Sequence, residues 1–141
     1  MNRQDAKNAK QPRNEPNGEV DVLCHRVIGA ALEVHRLLGP GFLESVYEEA
    51  LCIELSLGGV PFARQVPVGV AYKGRTVGEA RLDLLVGECL IVELKAAEAI
   101  APIHVAQVIS YLKATRLAVG LLISFNVPVL RRGIKRVIHT P

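Results

Sequence analysis

The hydrophobic and polar positions after residue 18 follow two different periods. Apolar residues from position 20 to 38 recur every three or four places, which is the spacing of an amphipathic helix. A second helix is predicted from about residue 42 to 57, and a third from 102 to about 115, where Pro102 suits the first helical turn. Gly-Pro-Gly at 39–41 ends the first of these helices, because glycine and proline stop helices.

Elsewhere the period changes to two, or to continuous apolar runs, and both patterns are typical of strands. Strands are predicted over residues 62–72, 76–86, 90–95, 117–125 and 134–139. The first contains Pro67, which predicts an edge strand because proline cannot donate a ladder hydrogen bond. The order helix, helix, three strands, helix, strand, strand predicts an α/β fold in which the first three strands form a meander.

The second and third strands are joined by a short turn at residues 87–89. A three-residue connection would pair Val86 with Leu90, and therefore Asp83 with Glu93, with β-carbons about 5 Å apart on one face. A two-residue connection would place the two carboxylates on opposite faces unless a bulge intervened. A single site for both carboxylates therefore requires an odd connection or a bulge.

Period-two alternation assigns the faces of these two strands. Leu82 and Leu84 flank Asp83, so the pattern predicts that both leucines lie on the core face. Glu93 and Lys95 share the face of Asp83. Two carboxylates on one face repel each other unless a cation joins them, and such oxygen ligands suit Mg²⁺ or Mn²⁺. Lys95 could then orient a water molecule or lower its pKa. The alternative is a solvated strand face with an incidental Glu–Lys pattern.

Length and composition favour one domain preceded by a polar leader. The chain has 141 residues, of which 50% are hydrophobic, enough for one sizeable core. Residues 1–18 are polar and contain two prolines, so we expect them to be disordered, and we expect residues 19–141 to form the domain. The high apolar content also allows for a homodimer.

Charge and cysteine usage narrow the class of protein. The net charge of +3 permits an anionic partner without requiring one. The three cysteines form no C-x-x-C pair, which argues against a zinc site or a disulfide framework and favours a reducing cytoplasm. We expect no membrane anchor, because no apolar run is long enough to span a bilayer.

Polar residues on two predicted helices add to the candidate site. Glu44 and Tyr47 lie three apart near the start of the second helix, and Gln107 and Tyr111 lie four apart on the third. Each has a structural alternative. Glu44 suits the positive end of the helix dipole, and Tyr47 is a typical core aromatic. Gln107, among apolar neighbours, needs a hydrogen-bond partner, which nearby backbone could supply.

The segment from Gly41 to Tyr47 matches the motif G-x-x-E-x-x-Y and closely resembles the bacterial proteins named after it. That family is grouped with the PD-(D/E)XK nuclease superfamily. The resemblance extends over residues 20–138. It includes, in the same order, Tyr72-Lys73-Gly74, Arg81-Leu82-Asp83, Glu93-Leu94-Lys95, His104-x-x-Gln107 and Gln107-x-x-x-Tyr111. Leu82 stands where the superfamily name places proline.

The resemblance implies a restriction-endonuclease-like core, a central mixed sheet with helices on both sides. It also implies that Glu44, Asp83 and Glu93 are ligands of Mg²⁺ or Mn²⁺, with the Leu94 carbonyl as a further oxygen. Lys95 would assist the nucleophilic water. Gln107 and Tyr111 would position the substrate or the catalytic groups.

Three functions are consistent with these patterns. The first is a metal-dependent nuclease that hydrolyses phosphodiester bonds, with nucleic acid as partner and DNA favoured over RNA. The second is a non-catalytic module on the same scaffold that binds nucleic acid or docks a protein. The third is an accessory protein of an intracellular assembly or toxin system. Retention of the acidic residues and Lys95 favours the first.

Overall fold

The computed structural model describes residues 18–140. In chain order the elements are α1 (Gly18–Leu38), α2 (Glu44–Leu57), β1 (Phe62–Tyr72), β2 (Arg75–Val86), β3 (Leu90–Lys95), α3 (Pro102–Thr115), β4 (Val119–Ser124), the 3-10 helix η1 (Leu130–Gly133) and β5 (Ile134–Ile138). The predicted element order and α/β class are confirmed. The predicted disordered leader lies outside the described residues, except for Gly18, which begins α1.

The five strands form one mixed sheet in the order β1-β2-β3-β4-β5. The pairs β1–β2, β2–β3 and β4–β5 are antiparallel, whereas β3 and β4 are parallel and are connected through α3. Pro67 lies on β1 at the edge of this sheet, as predicted. Among residues 18–140, no helix is both long and apolar enough to cross a membrane.

The sheet has a helical layer on each face. Helices α1 and α2 cover one face, where they pack on alternate residues of β3 such as Val92 and Leu94. Helix α3 covers the other face through Val108 and Leu112, which pack with Ile91. This alternation along β3 agrees with the prediction from period two. The alternation places Glu93 and Lys95 on the same face of β3 as Ile91, on the α3 side of the sheet.

The expectation that Leu82 and Leu84 share one core face is wrong. Leu84 packs in the core under α1 and α2, whereas Leu82 packs in the core under α3. Asp83 lies at this break in the alternation. On the neighbouring strand Gln65, between the partners of Leu84 and Leu82, has φ of 50°, so both strands depart from the regular pleat at one level.

Tyr47 joins the start of α2 to the rest of the core, as expected of a core aromatic. Its ring is fully buried and stacks on Phe125, with ring centroids 4.5 Å apart. Its hydroxyl donates to the Gly39 carbonyl at 2.6 Å and accepts from the Phe42 N–H at 3.1 Å. These two hydrogen bonds fix the loop before α2, and therefore fix the position of Glu44 at the start of that helix.

We expect Tyr47→Phe to lower the free energy of unfolding by about 1 kcal/mol, because the ring stays and only the hydrogen bonds are lost. Urea unfolding measures the change. Tyr72→Phe is the matched control, since Tyr72 is 63% exposed and its substitution should leave stability unaltered. Equal stability of Tyr47→Phe and the parent protein would show that the loop is held by other contacts.

Candidate functional site

Strands β2 and β3 separate at the two carboxylates. Their ladder runs from Val86–Leu90 to Leu84–Val92, so the connection at residues 87–89 has three residues, the first of the two alternatives. Beyond Leu84, side chains replace the ladder bonds. The Asp83 N–H donates to Glu93 Oε2 at 2.8 Å, and the Leu94 N–H donates to Asp83 Oδ2 at 2.8 Å. Each carboxylate is thus fixed by the backbone of the opposite strand.

Both carboxylates are withdrawn from water and close to one another. Glu93 is only 3% exposed. Its burial, followed by the nearby Asp83 charge, raises the pKa of the Glu93 carboxyl from 4.5 to about 8. Burial also raises the pKa of Asp83, partly offset by the hydrogen bond from the Leu94 N–H. In the absence of a cation, the pair therefore holds a proton near neutral pH.

The raised pKa of Glu93 makes the metal-free protein less stable at alkaline pH. The folded protein retains a proton that the unfolded chain releases, so stability falls as pH rises from about 4.5 to about 8. We expect Glu93→Gln to remove much of this fall, since its amide oxygen can still accept from the Asp83 N–H. The raised pKa values of Asp83 and Glu44 should leave a smaller decline.

Urea unfolding in chelator at about pH 5 and about pH 9 measures this effect. Glu54→Gln, farther along α2, is the control and should follow the parent protein. If Glu93→Gln loses stability with pH as steeply as the parent, Glu93 ionises normally in the folded protein.

Lys95 and α3 close the second side of the site. Lys95 Nζ donates to Gln107 Oε1 at 2.9 Å, so the partner that Gln107 needs is this ammonium group rather than backbone. Tyr111 hydrogen-bonds to Gln107, and its pKa is raised by partial removal from water and then by the charge of Glu93. Helix α3 thus brings both predicted polar residues to the carboxylates.

Glu44 approaches from α2, where it is the first helical residue. Its pKa is raised by partial loss of water and then by the charge of Asp83, while a hydrogen bond from the Ala96 backbone lowers it. The charge of Lys95 also acts on it. Glu44 is therefore close enough to interact electrostatically with charged residues of both strands, although its side chain is exposed.

Sequence reasoning missed two polar neighbours of Asp83. Glu48, one turn after Glu44, accepts from Gln65 Nε2 and from Arg64 Nη2, each at 2.8 Å. The Glu48 charge raises the pKa of Asp83, whereas a hydrogen bond from Gln65 lowers it. The four-residue spacing of Glu44 and Glu48 could have revealed the first of these residues. The position of Gln65, on a strand far from both in sequence, had no such signal.

The arrangement fits a cation in its donor chemistry but is not a closed metal cage. Across residues 18–140, no three His, Cys, Asp or Glu side chains lie close enough together to hold a metal ion. Over the same range, no Lys or Arg forms an ion pair within 4.0 Å with Glu44, Asp83 or Glu93. Asp83 and Glu93 thus offer oxygen atoms that no Lys or Arg of residues 18–140 contacts directly, although the charge of Lys95 acts on both. Such a donor set suits a hydrated Mg²⁺ or Mn²⁺ that keeps several waters.

A profile of the PD-(D/E)XK nuclease superfamily matches residues 21–137. The chain therefore belongs to the PD-(D/E)XK nuclease superfamily, as its sequence motifs predicted. The mixed five-stranded sheet with helices on both faces is consistent with the restriction-endonuclease-like fold of that superfamily. No curated protein and no solved structure matches the chain.

Proposed function

We propose that this protein is a metal-dependent nuclease that hydrolyses phosphodiester bonds. The observation that carries the proposal is the Asp83–Glu93 pair, which is withdrawn from water, without a Lys or Arg ion pair among residues 18–140, and next to Lys95. Uncompensated carboxylates are costly in a protein interior, and a divalent cation would offset that cost. Superfamily membership supports the same assignment.

Glu44, Asp83 and Glu93 would hold Mg²⁺ or Mn²⁺, with the Leu94 carbonyl as a further oxygen ligand. When bound, the cation supplies Lewis-acid stabilisation of the phosphate and lowers the pKa of a coordinated water. The protein provides rigidity, since the backbone N–H groups of Asp83 and Leu94 fix the two strand carboxylates. Binding requires Glu93 to lose its proton, so metal affinity should rise with pH.

Lys95 would balance the negative charge that develops on the scissile phosphate and orient the attacking water. Gln107 positions Lys95 through the 2.9 Å hydrogen bond to Nζ. Tyr111 is a hydrogen-bond partner of Gln107, and its raised pKa keeps it a neutral hydroxyl that can donate to a phosphate oxygen. The three side chains would form the phosphate side of the site, opposite Glu44.

Within the superfamily, we place the chain in the G-x-x-E-x-x-Y group on the motif from Gly41 to Tyr47. The contacts of this segment support different roles for the tyrosine and the glutamate of the motif. The tyrosine holds the loop before α2, and the carboxyl group of the glutamate interacts electrostatically with Asp83.

A second candidate is a non-catalytic nucleic-acid-binding or protein-docking module on the same scaffold. One observation favours it. The carboxylates of residues 18–140 include no group of three arranged to hold a metal, so the site would have to contract to bind one. A fold alone does not determine activity.

Cleavage assays with purified protein distinguish the two candidates. Labelled duplex DNA, single-stranded DNA and RNA are incubated with Mg²⁺, Mn²⁺, Ca²⁺ or chelator. The nuclease predicts cleavage in Mg²⁺ or Mn²⁺ that chelator abolishes, with DNA preferred over RNA. Nucleic-acid binding without cleavage under any of these conditions would retire the nuclease and favour the binding module.

A further inference from the structure

The hairpin formed by β1 and β2 extends well beyond the rest of the sheet. Strand β2 has 12 residues but pairs with β3 only through Leu84, Leu85 and Val86. From residue 75 to 82, β2 pairs with β1 alone. Every residue from 69 to 79 is exposed on both strands. The outer half of this hairpin, which we call the ribbon (residues 69–79), is therefore a two-stranded arm.

The ribbon leaves the sheet at the candidate site. Strand β2 runs antiparallel to β3, so its residues before Arg81 extend past the end of β3 at Lys95. The ribbon tip at Arg75 is eight residues from Asp83, which corresponds to about 27 Å of extended strand. A linear polymer that passes the carboxylates and continues from Asp83 towards Arg75 would lie along the arm.

The ribbon carries positive charge at its tip. Lys73 and Arg75 flank Gly74 in the turn, and both are exposed. Lys73 Nζ lies 5.5 Å from the centre of the Tyr72 ring. Between residues 69 and 79 the one acidic side chain is Glu79, and it lies 3.8 Å from Arg81. The two tip cations have no carboxylate partner among residues 18–140.

The ribbon is also thin. Gly69, Ala71 and Gly78 contribute little or no side chain to it. A two-stranded ribbon fits the major groove of B-form DNA, which is about 12 Å wide. The major groove of A-form RNA is too deep and narrow for side chains to enter.

We propose that the ribbon binds duplex DNA and that Lys73 and Arg75 contact its phosphates about eight base pairs from the scissile bond. When the arm lies parallel to the DNA axis, its length of about 27 Å spans about eight base pairs, because each base pair rises about 3.4 Å. This inference rests on the proposed function, because the site defines which phosphate is scissile. It names the substrate class as double-stranded DNA and gives the arm its direction.

The test measures binding of the parent protein in chelator, where no cleavage interferes. A Lys73→Ala, Arg75→Ala double variant is compared with the parent on duplex DNA over a series of salt concentrations. Loss of two phosphate contacts should weaken binding and reduce the slope of log affinity against log salt by about 2. Lys113→Ala is the control. It removes an exposed cation from the last turn of α3, outside the ribbon, and should leave the slope unchanged.

A second experiment varies the length of the DNA duplex. Duplexes that extend fewer than about eight base pairs on one side of the bound segment should bind the parent and the double variant equally, because the tip has nothing to contact. Longer duplexes should separate the two proteins. Equal affinity and equal salt slope on long duplexes would overturn the proposal.

Self-association is the competing outcome. If the ribbon joins two copies of this chain, light scattering should show a dimer that the double variant loses, with unaltered affinity for DNA, and this result too overturns the proposal. The failure of the proposed function looks different. Ribbon-dependent binding without cleavage would contradict only the proposed nuclease function. Cleavage that is unaltered by the ribbon substitutions would contradict only the proposed role of the ribbon.

Discussion

Asp83→Asn is expected to reduce metal-dependent cleavage to background while leaving the fold intact. Asparagine retains an oxygen that can accept from the Leu94 N–H, so the junction of β2 and β3 should survive. It removes one ionisable group from a carboxyl pair that is withdrawn from water, and stability in chelator should therefore stay level or rise. Alanine is a poorer choice, because an unpaired Leu94 N–H would cost about 1–3 kcal/mol.

Cleavage in Mn²⁺ and melting temperature in chelator are measured together on the same preparations. Glu54→Gln is the matched control, since it neutralises a carboxylate of α2 far from Glu44 and should change neither quantity. Asp83→Asn with parental cleavage would remove Asp83 from the site. A large loss of stability with unchanged cleavage would make its role structural.

Lys95→Ala is expected to lower turnover by about a hundredfold or more, the scale of losing one electrostatic or acid–base group. The position of the ammonium supports a role in the transition state. Lys95 is held by Gln107 at 2.9 Å and acts on the charges of Glu44, Asp83 and Glu93. Affinity for DNA in Ca²⁺, where cleavage should be suppressed, should change little. An interaction made only in the transition state changes turnover rather than binding.

Lys113→Ala serves again as the control for loss of a lysine. Gln107→Ala should lower turnover less than Lys95→Ala, because it frees the ammonium without removing it. If Lys95→Ala instead weakens DNA binding by the same factor as it lowers turnover, Lys95 is a simple phosphate-binding charge. Weakened binding together with no turnover in the parent protein would support the binding module.

The local hydrophobic pattern predicted most of the fold, because the hydrophobic residues of most helices and strands keep one spacing along the whole element. In β3, Leu90 and Val92 pack in one core and Ile91 packs in the other, and the three-residue turn set the pairing of β3 with β2. The alternation of Leu82 and Leu84 failed because period two assumes an unbroken pleat. At Asp83 the two carboxylates accept the backbone N–H groups that a regular ladder would use, and the pleat is interrupted.

The candidate site was predictable only where its residues follow a local motif. Glu44, Glu93 and Lys95 lie in short recognisable stretches, and α3 carries Gln107 and Tyr111 on one face. The Lys95–Gln107 bond joins a strand to a helix, and no sequence pattern specified it. Gln65 reaches Glu48 across 17 positions, at a residue whose positive φ no local signal predicts. Contacts of this kind depend on how the layers pack.

Titration of Mn²⁺ into the metal-free protein, followed by calorimetry at about pH 8.5, tests the central claim most directly, because Glu93 has then released its proton. We predict one ion per chain, bound more tightly than at neutral pH, with binding lost in Asp83→Asn and retained in Glu54→Gln. No binding by the parent protein at millimolar Mn²⁺, or equal binding by Asp83→Asn, would contradict a metal site at these carboxylates.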